Sequence, residues 1–100
     1  MNQLLLPEPD IDTLMDRVIN AAVCWVKKTG NVCRLDRYTD TGGHISNIIT
    51  NNKRGNSQRW DTKTNVFWCD TSCSGSIPDI TINLSAGVHM LAGIIDLLED

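Results

Sequence analysis

The segment DIDTLMDRVINAAVCWVKKTG, Asp10–Gly30, decides how the chain is read. Its apolar residues Ile11, Leu14, Met15, Val18, Ile19, Ala22 and Val26 recur at the spacing of one helical face. Asp12, Asp16, Arg17, Asn20 and Lys27 fall largely off that stripe. Asp10 or Asp12 supplies an N-cap, with carboxylates at the positive end of the helix dipole. Lys27 and Lys28 occupy the last turn, where the dipole favours cations, and Gly30 stops the helix because glycine tolerates positive φ. The spacing therefore predicts an amphipathic helix with one face to cover.

Beyond Gly30 the period changes. Val32–Tyr38 reads as a strand ending in the turn cluster Thr39–Gly43. Ile45–Thr50, rich in β-branched residues, reads as a second strand. Residues 51–57 are polar and turn-like, Trp60 is expected on a third strand, and Val66–Cys69 on a fourth. Ile80–Leu84 is a short strand with Ile80, Ile82 and Leu84 on one face. Ser85 is the expected N-cap of a last helix, Ala86–Leu98, whose stripe is Val88, Leu91, Ala92, Ile95 and Leu98. Met90, Ile94 and Leu97 lie beside that stripe. So wide an apolar arc predicts a helix that is deeply buried or that also faces a partner. Gly87 and Gly93 weaken it by about 1 kcal/mol each against Ala, and close approach to a sheet or a second helix is the expected compensation.

The order helix, antiparallel sheet of about three to five strands, helix implies an α+β two-layer domain. The domain is expected over 10–100, with residues 1–9 as a flexible arm held off the helix by Pro7 and Pro9. With 100 residues and 41% hydrophobic content, one modest core is the natural count. Such a chain buries roughly 65% of the surface its unfolded form exposes, which leaves little room for a deep cleft. No stretch suits a membrane span, since Ala86–Leu98 is short and interrupted by His89 and Asp96. No basic residue precedes the apolar run at the N-terminus, so no signal peptide is read there and a cytoplasmic location with reduced thiols is expected.

The net charge of −3 is unevenly spread. Eight of the nine basic residues lie in Lys27–Lys63, and the segment after it holds acids alone. Within the basic window, Lys53, Arg54, Arg59, Trp60 and Lys63 combine cations for phosphates with an aromatic for stacking, which is the alternative reading of a nucleic-acid-binding hairpin. Four cysteines, Cys24, Cys33, Cys69 and Cys73, match the ligand count of one zinc, but only Cys69 and Cys73 are close in sequence. His44 and His89 could substitute as ligands, and a zinc-stabilised domain is the other alternative reading, but buried free thiols are the plainer expectation, so no metal or cofactor is expected. A nucleophile needs an adjacent base, and His44 and His89 are the only histidines: the first follows a glycine turn, the second sits in an apolar helix as a core or interface residue. No Gly-x-Ser-x-Gly, His-Glu-x-x-His or phosphate-loop motif is present, and no enzymatic role is expected.

These features lead to a small non-enzymatic domain that binds a macromolecule, most simply a protein. Compact domains of this kind resemble products of phages and mobile elements. Two contact surfaces are expected. One is the last helix through Leu91, Ile95 and Leu98, which are buried either inside the domain or against a second copy in a homodimer. The other is the arm. There Gln3-Leu4-Leu5-Leu6-Pro7 resembles the peptide by which bacterial proteins dock on the DNA sliding clamp, with Gln3, Leu4, Leu6 and Pro7 at matching positions. Leu5 stands where that family has serine or aspartate, and Glu8 where it has an apolar residue. The resemblance implies Leu4 and Leu6 as anchors, Gln3 for orientation, and the clamp as the named partner.

Overall fold

The computed structural model describes residues 10–51, 59–61, 66–70 and 77–100, with side chains for 10–51 and 77–100. Helix α1 spans Ile11–Thr29. Asp10 caps it by accepting a 2.7 Å hydrogen bond from the Thr13 amide. At the other end Gly30 takes φ 74° and donates its N–H to the Val26 carbonyl at 2.8 Å. A left-handed residue at this position satisfies a carbonyl that the helix leaves open. Both ends are therefore set by the residues that the sequence singles out.

Five strands follow: β1 Cys33–Tyr38, β2 His44–Thr50, β3 Arg59–Asp61, β4 Val66–Asp70 and β5 Ile80–Asn83. They form one sheet in the order β3-β4-β2-β1-β5. β1 and β2 are a hairpin in which Cys33 faces Ile49 and Tyr38 faces His44. The turn is tied by Thr39, whose N–H donates to the Gly43 carbonyl while its Oγ1 accepts from the Gly43 amide. β4 runs antiparallel to both β2 and β3.

One strand departs from the expected antiparallel meander. β5 lies beside β1 and runs parallel to it, with Cys33 opposite Ile80 and Asp36 opposite Asn83. The sheet is therefore mixed. Short-range periodicity shows that Ile80–Leu84 is a strand, but not beside which neighbour it lies. A reciprocal clamp begins the pairing: the Asp79 carboxylate accepts from the Val32 amide at 2.7 Å, and the Asp79 N–H donates to the Val32 carbonyl at 2.8 Å.

Helix α2 spans Val88–Glu99. It starts two residues later than the sequence suggests, because Ser85 is not its cap. The Ser85 hydroxyl accepts instead from the Tyr38 amide at 3.0 Å, bracing the turn after β5 against the end of β1. Gly87, at φ 97°, stands at the helix start. Gly93 is exposed, and a Cβ there would meet nothing within 4 Å, so neither glycine serves a close packing contact inside the helix.

Both helices cover one face of the sheet, and α1 packs on α2. The core combines Leu14, Val18, Ala22 and Val26 of α1 with Cys33 and Leu35 of β1, Ile49 of β2 and Ile82 of β5. Leu91, Ile95 and Leu98 of α2 complete it. Full burial of one such aliphatic side chain contributes about 1.5–3 kcal/mol. On the opposite face of β2, Ile48 pairs with Val32 in a small separate cluster. The two-layer α+β architecture with a helix at each end is the one that the sequence implies. Among the described residues, no helix is long and apolar enough to cross a membrane.

Candidate docking edge and the polar face of the sheet

The side chains of α2 divide into two rows. Leu91 and Ile95 are sealed in the core and Leu98 is buried beside them. These three were the expected partner contacts, and the structure settles their burial inside the domain. The row next to them is open: Leu97 is 76% exposed, Met90 is 60% exposed, and Ile94 is half-buried. His89, expected in the core or an interface, is exposed.

The open row meets the sheet at its free end. β5 is the last strand of the order, and among the described residues β1 is its sole neighbour. Trp25, Ile80, Thr81, Ile82, Ile94, Leu97 and Leu98 line a groove of about 270 Å³ between α1, β5 and α2. Among the described residues, no charged side chain lines it. Proteins ordinarily block a sheet edge with lysine, proline, a bulge or an inward charge. Ile80-Thr81-Ile82-Asn83 carries none of these. A short edge strand of four residues, with the Asn83 carbonyl accepting from the Ala86 amide at 3.2 Å, runs beside this apolar groove, where an extended segment can add backbone hydrogen bonds at Thr81 and bury side chains together.

A second constellation lies on the sheet face away from the helices. Strand alternation puts Arg34, Asp36 and Tyr38 of β1 beside Ser46 and His44 of β2. Arg34 Nε donates to Asp36 Oδ1 at 2.8 Å, and the Ser46 hydroxyl donates to the same oxygen. His44 Nε2 is 3.4 Å from Ser46 Oγ and 3.8 Å from Asp36 Oδ1. The His44 ring stacks on Tyr38 with centroids 4.9 Å apart. Burial alone would push the Asp36 carboxyl up. The hydrogen bonds from Arg34 and Ser46, with the charges of Arg34 and His44, outweigh that effect and hold it below its ordinary value.

Serine, histidine and aspartate meet here, but not in the connectivity of a nucleophilic triad. In a triad the hydroxyl hands its proton to an imidazole that the carboxylate orients. Here the hydroxyl bonds the carboxylate directly, and that carboxylate, already engaged by Arg34, is a weak base. The arrangement ties β1 to β2 across the hairpin. Sequence reading did not single it out, although the signal is present: polar residues at every second position of two adjacent strands.

The remaining expected site residues are scattered. Gln3, Leu4, Leu6 and Pro7 of the arm, and Lys53, Arg54 and Lys63 of the basic stretch, lie outside the described residues. Arg59 and Trp60 fall on β3, at the end of the sheet remote from β5, with Trp60 opposite Phe67. Of the cysteines, Cys24 is exposed on α1 and Cys33 is buried in β1. Burial pushes the Cys33 thiol up to about 12. Cys69 lies on β4 and Cys73 outside the described residues. Nothing matches the chain among protein-family models, curated proteins or solved structures.

Proposed function

We propose that this chain is a small non-enzymatic protein-binding domain of the cytoplasm, and that it binds through the β5 edge and the outer row of α2. One observation supports the reading: among the described residues, the outer edge of β5 has no strand beside it and runs along exposed Leu97 and a groove that no charged side chain lines. Edge and groove supply the two things an added strand needs, backbone partners and pockets for alternate side chains. Exposed Cys24 fits a reducing compartment.

The test is capture from a bacterial lysate by wild-type protein and by Leu97→Asp, read by mass spectrometry. Leu97 is mostly exposed, so the substitution leaves the fold intact. A partner retained by the wild type and lost with Leu97→Asp supports the reading. Recovery of the sliding clamp by both proteins alike would assign that contact to Gln3–Pro7 instead. If no partner depends on Leu97 and the chain does not self-associate through this edge, the reading fails.

A further inference from the structure

We infer that the partner met at this edge is an acidic segment of another protein, whose apolar residues fill the groove beside β5 and whose carboxylates reach Arg17 and Lys28 on α1. The inference rests on the proposed docking edge and names the chemistry of what docks there.

A second groove, of about 370 Å³, shares Trp25 and Leu98 with the groove beside β5, so the two adjoin. The β5 groove is apolar. The second is polar: Arg17, Asn20, Cys24 and Lys28 of α1 line it together with Glu99 of α2. Positions 17, 20, 24 and 28 are three or four residues apart and form one stripe down the helix. At about 1.5 Å of rise per residue, Arg17 and Lys28 are about 16 Å apart along the axis. Trp25 stands within one turn of Lys28, so the apolar groove passes into the basic stripe there.

Charge decides what fits. Arg17 and Lys28 are exposed, and among the described residues neither makes an ion pair. From Arg17 to its end, α1 bears Arg17, Lys27 and Lys28 and no acid. Among the described residues, Glu99 is the acid that opposes them in the lining, and two cations against one anion leave it net positive. The chain as a whole carries −3, so an acidic partner gains attraction where cations gather, and this stripe is such a place. Charges at the rim of an apolar floor steer encounter and fix register, while the floor supplies affinity.

The backbone agrees with an extended occupant. The Ile80 and Leu84 amides turn inward to the Val32 and Asp36 carbonyls, so by alternation Thr81 presents its own groups outward. A segment bonded to Thr81 would lay its helix-side residues among Ile80, Ile82 and Leu97. A basic segment would fill the same floor but set like charges against Arg17 and Lys28.

Random peptides displayed on phage and selected on the full chain test this, with the recovered peptides then titrated by fluorescence anisotropy. The expected peptides carry aspartate or glutamate beside apolar residues. Arg17→Glu with Lys28→Glu should weaken them about tenfold and remove most of their salt dependence. Both side chains are exposed, so the circular-dichroism spectrum should not change. Arg17→Gln with Lys28→Gln serves if the charge reversal perturbs the fold. Glu99→Gln should tighten binding, and Leu97→Asp should weaken it by spoiling the floor. Recovered peptides without acidic residues overturn the inference, as do acidic ones indifferent to Arg17 and Lys28. If those peptides still depend on Leu97, the protein-binding reading stands without its acidic partner. Recovery of no peptide, or only of peptides indifferent to Leu97 as well, overturns both.

Discussion

Met90 and Leu91 are neighbours in sequence with opposite surroundings, and truncating each to alanine tests the placement of α2. Leu91 is wholly buried and belongs to the same core as Leu14, Val18 and Ile49. Met90 is 60% exposed. Removing a buried leucine costs the transfer energy of the lost methyl and methylene groups, plus a cavity cost. Leu-to-Ala changes of this kind cost about 2.7–5 kcal/mol. Leu91 lies on a helix packed against both α1 and the sheet, so local collapse is restricted and about 3 kcal/mol is a fair figure. A domain of this size loses about 4–8 °C per kcal/mol, which gives a fall of about 12–24 °C in melting temperature. Met90→Ala exchanges one good helix former for a better one at the surface and should change stability by less than about 0.5 kcal/mol. Thermal denaturation followed by circular dichroism at one fixed low concentration separates the two. Equal shifts for both variants would refute the orientation of α2, and with it the division into a core row and a docking row.

Other expectations follow from single contacts. Asp79→Ala leaves the Val32 amide without its side-chain acceptor at the start of the β1–β5 pairing and should cost about 1–3 kcal/mol in chemical denaturation. Asp36 titrates below the ordinary 3.8 in the fold, so its contribution to stability is fully present above that pH and is lost as pH falls through the lower folded value. Acid titration should therefore show Asp36→Asn losing less stability below pH 3.8 than the wild type does. Alkylation at neutral pH, read by peptide mass spectrometry, should modify exposed Cys24 and spare Cys33 until the chain unfolds, because the Cys33 thiol is buried with its pKa pushed up to about 12.

Local signals in the sequence were sufficient for the elements. Asp10, the Leu14–Val26 stripe and Gly30 mark out α1 because capping and periodicity are properties of consecutive residues. Trp60 and Val66–Cys69 likewise fall on strands where expected. What could not be read depends on which distant segment lies alongside. The parallel placement of β5 needs Asp79 and Val32 to find each other, and nothing near either residue announces it. Ser85 has the chemistry of a cap but is used by Tyr38. The docking edge was half legible. The wide apolar arc of α2 announced more surface than one core needs, but Leu91 and Leu97 look alike as residues, and only the packing of α2 on α1 and the sheet separates them.

The parallel strand has a kinetic consequence. The β1–β2 hairpin closes across a five-residue turn, whereas β5 reaches β1 from 47 residues away. Closing the longer loop costs more entropy before any contact repays it, and order of formation follows that cost. The hairpin is therefore expected to close first and β5 to dock last, bringing α2 with it. During synthesis the β1 edge therefore waits, unpaired, until Ile80–Asn83 emerges. Losing residues 80–100 would leave that edge and the floor under Leu91, Ile95 and Leu98 permanently open. Removing residues 80–100 should consequently yield an aggregating chain rather than a smaller soluble domain.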